Sequence, residues 1–204
     1  MERNRRTFGF ALKWCFDRFF ALVGLVVGSP LLLAVAVAVK VSSKGPVFFL
    51  QDRVGRHGKT FRIIKFRTMY DGSVGGTVTA AGDERVTPLG AWLRRTKIDS
   101  LPELFNVLVG QMSIVGPRPD VPGYADQLVG DDRRVLLLRP GMTGPASLKY
   151  YNEEELLAAK PDPQRYNDEV LFPDKVRINL DYLDNYTFLN DIAIIAKTIA
   201  KPFC

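Results

Sequence analysis

The feature that most limits how this chain can fold is an apolar run near its start. Residues 19–39 (FFALVGLVVGSPLLLAVAVAV) contain no charged side chain over 21 positions. A helix rises about 1.5 Å per residue, so a straight helix of this length just matches the ~30 Å hydrocarbon core of a bilayer. The run is apolar on every face, unlike the one-sided pattern of a helix on a soluble core. The sequence therefore predicts a helix embedded in a membrane.

The flanks of the run indicate how the helix meets the bilayer. Basic residues stand on both sides of it, namely Lys13, Arg18, Lys40 and Lys44. Positive residues favour the cytoplasmic side, and a spanning helix cannot place both flanks there. Ser29 and Pro30 lie at the middle of the run, where proline removes a helical hydrogen bond. We predict a re-entrant helix broken at Ser29-Pro30, with a spanning helix as the alternative.

After Gly45-Pro46 the sequence pattern changes from one long apolar run to short strands and turns. This change divides the chain into a membrane segment, residues 1–45, and one compact cytosolic domain, residues 46–204. Strand signals in the second part are few and short, so the fold class is α/β, mostly helical with a small sheet. The net charge of +6 suits a partner rich in phosphate. No basic stripe interleaved with aromatic residues is present in the sequence, so nucleic acid is not an expected partner.

Local patterns place the elements of the cytosolic domain. Strands are predicted at 47–51 and 61–69, a loop at 71–83, and helices from Pro88 to about Lys97 and at 100–110, 121–129, 153–159, 168–186 and 188–200. In the last helix Ile192, Ile195, Ala196 and Ile199 share one face. That face either packs on the core or lies at a membrane interface.

Four charged residues are candidates for chemistry. The S-x-x-E spacing of Ser100 and Glu103 predicts a capping box that leaves Asp99 just outside a helix N-terminus. Such a corner attracts phosphate, and a carboxylate in it can act as a nucleophile or simply cap the helix. Alternation along the 61–69 strand puts Lys65 and Arg67 on one face, either as a diphosphate clamp or as a solvated surface.

Several stretches together resemble the bacterial sugar transferase family, the small monotopic phosphoglycosyl transferases. They are VVGSPLLL, QDRVGRHGKTFRIIKFRTM, RRTKIDSLPELFNVLVGQMSIVGPRPD and RPGMTGPASLKYYNEEELL, in the family's order. The resemblance implies a Mg²⁺-dependent enzyme on the cytoplasmic face of the bacterial inner membrane. It would transfer a phosphosugar from a UDP-sugar to polyprenyl phosphate, typically undecaprenyl phosphate, and release UMP through a covalent aspartyl intermediate. That reaction is the first membrane step of glycoconjugate assembly, as in polysaccharide biosynthesis.

The resemblance also assigns roles to residues. Asp99 matches the nucleophile and Lys65-Phe66-Arg67 the basic strand, so Asp99, Ser100, Lys65 and Arg67 form the expected catalytic set. Arg118, between Pro117 and Pro119, matches a phosphate-contacting arginine, and these three residues with Arg53 form the expected substrate-binding set. Asp99 and Glu103 are the expected metal ligands. The sugar and the oligomeric state stay open, a homodimer included.

Two positions depart from the family pattern. The family usually carries Asp-Glu where this chain has Asp99-Ser100, and an aspartate where it has Gln111. Our hypothesis is that Glu103, or a water held by Ser100, replaces the missing ligand. The alternative function is a catalytically weak or silent membrane scaffold of a glycan-assembly complex.

Overall fold

The computed structural model describes residues 2–72 and 82–201, with side chains from Phe10 onward, so most of the predicted loop at 71–83 lies outside the described residues. Its helices are α1 Glu2–Ser42, α2 Pro88–Arg95, α3 Glu103–Leu108, α4 Pro145–Lys149, α5 Glu153–Ala158, α6 Pro163–Tyr166, α7 Phe172–Asp184 and α8 Phe188–Ala200. Its strands are β1 Phe48–Val54, β2 Thr60–Phe66, β3 Ser113–Val115 and β4 Gly141–Thr143.

Two small sheets hold the strands. β1 and β2 form an antiparallel hairpin with Phe48 opposite Phe66 and Val54 opposite Thr60. β3 and β4 pair in parallel, with Ser113 beside Gly141. The described chain is thus mostly helical with little sheet, as the sequence predicted. Both predicted strands are confirmed, although β2 ends at Phe66 and Arg67 lies beyond it.

Helix α1 lies along the body of the protein on one narrow stripe. Its buried apolar residues are Ala21, Leu25, Val35 and Val39, of which Ala21 packs with the hairpin and α3, and Val35 and Val39 pack with β2 and α2. Spacings of four and fourteen keep the four residues on one side of a helix. Ser29 and Pro30 are exposed, and the helical backbone continues through Pro30, so one continuous helix replaces the predicted break at Ser29-Pro30. By length and composition Phe10–Ser42 could cross a membrane, and only 17% of its most apolar stretch is buried.

Polar contacts fasten α1 to the body near both ends of the apolar run. Before it, Lys13 Nζ lies 2.6 Å from Asp191 Oδ2 of α8, and Asp17 accepts a 2.6 Å hydrogen bond from Ser113 Oγ. After it, the Arg67 guanidinium donates to the carbonyls of Ser43 and Lys44 at 2.7 and 2.8 Å. All five charged or hydroxyl side chains involved are buried. The body therefore contacts α1 at both ends of the apolar run.

Most of the predicted helices are present in the structure, and one is not. The segment 121–129 is not a helix, because Pro122 and a positive φ at Gly123 precede a single 3₁₀ turn at Ala125–Gln127. The last helix is confirmed and packs on the core, but through Asp191, Ile194 and Ile195. Of the face named from the sequence, Ile195 packs on the core whereas Ile192 and Ile199 are exposed, so core packing holds for only part of that face. The helices predicted near 88–97, 153–159 and 168–186 are confirmed as α2, α5 and α7, with a π turn at Asn167–Leu171 before α7.

Candidate active site

A cleft of about 830 Å³ opens between the hairpin, the turn before α3 and the helices α4, α5 and α8. Residues of every charge type line it, and the lining includes Arg53, Lys65, Lys97, Asp99, Ser100, Arg118, Asp120, Tyr151 and Thr198. Volumes of about 300–1,000 Å³ are typical of sites for small molecules and cofactors. The cleft collects most of the residues that the sequence predicted, and it is the candidate active site.

Lys65 is the centre of a charged cluster in this cleft. Its Nζ atom donates to Ser100 Oγ at 3.0 Å and lies 3.1 Å from Glu103 Oε1 and 3.9 Å from Asp99 Oδ2. Asp99 is 8% exposed and Glu103 is 3% exposed, so a cation beside them offsets the cost of burying two carboxylates. Asp99 Oδ1 is buried and has no hydrogen-bond partner in the described part of the chain. This oxygen is available to a ligand.

The backbone before α3 presents Asp99 to the cleft. Lys97 adopts a left-handed conformation, with φ 57° and ψ 14°, and a 3₁₀ turn at Ile98–Ser100 follows. Helix α3 then starts at Glu103 without a side-chain cap. The predicted capping box is therefore wrong, because Ser100 and Glu103 both contact Lys65 instead.

Arg118 lies on a segment whose backbone packs very closely against β4, because Gly116 has no side chain. Gly116 N donates to Thr143 O at 2.8 Å and Gly141 N donates to Pro117 O at 2.7 Å, so the two backbones nearly touch. A Cβ atom on Gly116 would lie 2.3 Å from the Arg139 carbonyl oxygen. This crossing and the two flanking prolines fix the segment, and the exposed Arg118 side chain lines the cleft.

Arg53 binds the backbone of the same segment. Its Nη1 donates to Pro119 O at 3.0 Å, and Val54 N donates to Asp120 O at 2.8 Å. Burial and the nearby Arg118 lower the pKa of Arg53 to about 10. Burial raises the pKa of Asp120 to about 6, although Lys175, Arg53 and Arg118 oppose the rise. The structure thus places Arg53 as a support for Pro119, close to Arg118.

Arg67 does not join the Lys65 cluster. Its guanidinium donates to Val39 O, Ser43 O and Lys44 O at the end of α1, and it is 6% exposed. Carbonyls at a helix C-terminus lack partners within the helix, and a cation there satisfies them. In this structure Arg67 therefore joins α1 to β2, and Lys65 alone of the two faces Asp99.

Sequence reasoning overlooked three residues that line the cleft, Lys97, Asp120 and Thr198. Lys97 and Asp120 each stand two residues from a predicted site residue, and that proximity was a usable signal. Thr198 lies on α8, 55 positions from Thr143, whose Oγ1 atom it meets at 2.8 Å. No local sequence pattern indicates that contact.

The carboxylates suit magnesium in part. Mg²⁺ commonly binds one or two protein carboxylates together with substrate phosphates. The unpartnered Asp99 Oδ1 fits this pattern, whereas Oε1 of Glu103 is occupied by Lys65. Among the described residues no group of three or more His, Cys, Asp or Glu is placed to hold a metal. Asp99 is therefore the residue that would hold the ion, with substrate oxygens completing its shell.

The fold and the cleft together describe a charged cleft on a small body attached to a long apolar helix. The model of the bacterial sugar transferase family matches residues 8–204, so the chain belongs to that family. The Aeromonas hydrophila UDP-N-acetylgalactosamine-undecaprenyl-phosphate N-acetylgalactosaminephosphotransferase is 37% identical over 196 residues, which cover 92% of this chain and 43% of that protein.

Two further relatives extend the comparison. The Xanthomonas campestris pv. campestris UDP-glucose:undecaprenyl-phosphate glucose-1-phosphate transferase is 36% identical over 193 residues, 91% of this chain and 37% of that protein. The chain thus spans less than half the length of this relative and of the Aeromonas protein. The exopolysaccharide production protein PSS of Rhizobium leguminosarum bv. phaseoli is 37% identical over 199 residues, 93% of this chain and 94% of that protein.

Proposed function

We propose that this protein transfers a phosphosugar from a UDP-sugar to undecaprenyl or a similar polyprenyl phosphate and releases UMP. The names of the relatives support the donor and acceptor classes. The observation that carries the proposal is the state of Asp99, a residue of the cleft whose Oδ1 is buried and has no hydrogen-bond partner in the described chain. A carboxylate in such a setting has no structural task for that oxygen, and it is well placed to bond to phosphorus.

The proposed reaction has two steps. In the first, an Asp99 oxygen bonds to the β-phosphorus of the donor, the bond to the oxygen bridging the α- and β-phosphates breaks, and UMP leaves with that oxygen. In the second, an oxygen of the lipid phosphate bonds to the same phosphorus and the Asp99 carboxylate is regenerated. Lys65 holds Asp99 in place, and Arg118 offsets the charge of the diphosphate. A bound Mg²⁺ would neutralise further phosphate charge.

The membrane arrangement belongs to the same proposal. We infer that α1 enters and leaves the bilayer on the cytoplasmic face, so that the protein is monotopic in the bacterial inner membrane. The support is that one body contacts α1 both at Asp17 and at Ser43, before and after the apolar run. A helix crossing a ~30 Å core would carry these two contacts on opposite sides of the membrane.

A second candidate function rests on Ser100. In this chain its hydroxyl accepts a hydrogen bond from Lys65, and the Lys65–Glu103 pair closes the cluster without an external ligand. A cluster that is satisfied in this way is compatible with a silent scaffold that binds lipid and does not turn over. The two candidates differ in whether UMP is released.

The test is a UMP-release assay on the full chain in nanodiscs, with Mg²⁺, undecaprenyl phosphate and a panel of UDP-sugars. We expect release with one or a few donors, loss of release in Asp99→Asn, and a covalent phosphosugar adduct in the wild type when acceptor is omitted. Ser100→Glu is the companion variant and should raise turnover if the missing carboxylate limits the rate. A folded wild-type protein that releases no UMP with any donor supports the scaffold and refutes the transferase.

A further inference from the structure

Lys97 combines an unusual backbone with a place in the cleft. It is one of two non-glycine residues at positive φ among those described. A left-handed conformation costs a side-chain-bearing residue roughly 1 kcal/mol, and glycine or asparagine would relieve that cost. The lysine keeps it two positions before Asp99, with Nζ 5.4 Å from the centre of the Tyr151 ring. An unfavourable backbone conformation at the edge of a site is often associated with function, so Lys97 is a candidate for a functional role.

Lys97 and Arg118 differ in their partners from most other cations of the cleft. Lys65 pairs with Glu103, Lys175 with Glu153 and Arg94 with Glu154, and Arg53 donates to Pro119 O and Gln51 Oε1. In the ranges that the structure describes, neither Lys97 nor Arg118 has a carboxylate within 4.0 Å.

Lys97 and Arg118 line the same cleft as Asp99. Two like charges that have no carboxylate partner are stabilised when an anion binds between them.

The surroundings of Lys97 indicate which anion. Lys97 lies beside the Tyr151 ring between α4 and α5, and Glu154 of α5 lines the cleft as well. These neighbours are polar. A polar surround suits the water-soluble nucleotide better than the chain of a lipid.

We propose that Lys97 and Arg118 form a seat for the α-phosphate of the nucleotide, the phosphate that leaves as UMP, while Asp99 takes the β-phosphorus. This inference rests on the proposed function and adds Lys97 to its donor-binding residues. It makes Lys97 a residue that binds donor and leaving group and has no contact with the lipid phosphate. Its cation also stabilises the charge that develops on the departing UMP.

The test measures UMP binding directly, so that it does not depend on turnover. Equilibrium binding of UMP is compared for the nanodisc-held full chain and for Lys97→Gly, Lys97→Arg and Lys160→Met. Glycine removes the charge and relieves the backbone, and arginine keeps the charge. Lys160 is the matched control, because its Nζ also lies over a tyrosine ring, that of Tyr166 at 4.4 Å, and it does not line the cleft.

We expect UMP affinity to fall about tenfold or more in Lys97→Gly, the order lost with one charge-assisted contact. Lys97→Arg and Lys160→Met should stay within about threefold of the wild type. In turnover, Lys97→Gly should raise the KM for the UDP-sugar and leave the KM for undecaprenyl phosphate unchanged. Unchanged UMP affinity in Lys97→Gly, equal loss in Lys97→Arg, a rise confined to the acceptor KM, or no UMP binding by the wild type would each overturn the inference. A wild type that binds UMP without releasing it from any donor refutes the transferase instead, and leaves the seat to be judged by binding.

Discussion

Replacing Lys65 by methionine separates the structural role of the Lys65 cluster from its chemical role. The substitution keeps the length of the side chain and removes the ammonium that lies 3.1 Å from Glu103 Oε1 and 3.9 Å from Asp99 Oδ2. Glu103 is 3% exposed, so its carboxylate would be left buried without a counter-ion. Both stability and turnover should therefore fall.

The magnitude follows from burial. Removing one partner of a buried ion pair costs about 3–5 kcal/mol. Lys65 keeps some contact with water, its side chain being 20% exposed, so the lower end applies and about 2–3 kcal/mol is expected. For a chain of this size that loss lowers Tm by roughly 5–10 °C. UMP release should fall about 100-fold or more, since Asp99 and the reacting phosphates lose a neighbouring cation.

The double variant Lys65→Met/Glu103→Gln is the control. It removes the stranded charge together with its partner, so Tm should recover most of the loss while UMP release stays low. Thermal unfolding and UMP release are measured on the same nanodisc preparations. The reasoning fails if the single variant unfolds within a degree or two of the wild type, or if the double variant regains turnover along with stability.

Three further expectations follow from the geometry. Gly116→Ala should cost several kcal/mol and abolish UMP release, because its Cβ would meet the Arg139 carbonyl at 2.3 Å, whereas Gly28→Ala, which meets nothing within 4 Å, should leave Tm unchanged. The pKa of Asp120 is about 6 when folded, against ~3.9 unfolded, so the folded state binds the proton more tightly and its stability falls as pH rises from 4 to 6; denaturant titrations should show Asp120→Asn more stable than the wild type by about 2 kcal/mol at pH 7 and equal to it at pH 4. Arg67→Met should lower Tm and increase proteolysis after Ser43, because the carbonyls at the end of α1 lose their donor; an unchanged cleavage pattern would contradict the role assigned to Arg67.

The sequence predicted the parts of this fold that depend on local pattern. The uncharged run predicted α1, and Pro88 predicted the start of α2, where the structure adds a cap because the Thr87 hydroxyl accepts from Gly90 N. The same reasoning failed where a distant residue competes for a local group. Ser100 and Glu103 have the spacing of a capping box, but Lys65, 35 positions away, takes both side chains.

The sequence predicted which residues belong to the candidate site better than it predicted how they are arranged. Asp99, Lys65 and Arg118 line one cleft as expected. Alternation along a strand placed Arg67 with Lys65, but β2 ends one residue earlier and the backbone turns Arg67 towards α1. Lys97 could not be recognised from pattern, because its left-handed backbone and its lack of a carboxylate partner are properties of the folded chain.

The two-ended attachment of α1 also decides how the protein can search for its substrates. A domain hung from a single flexible linker samples a hemisphere above the bilayer, whereas a body fastened at Asp17 and again at Ser43 has its height and tilt fixed. In the proposed membrane arrangement the cleft would stay at one depth, and a lipid phosphate would meet it only by lateral diffusion in the plane of the membrane. The anchor would then select acceptors by the depth at which their phosphate lies, before any contact in the cleft discriminates among them.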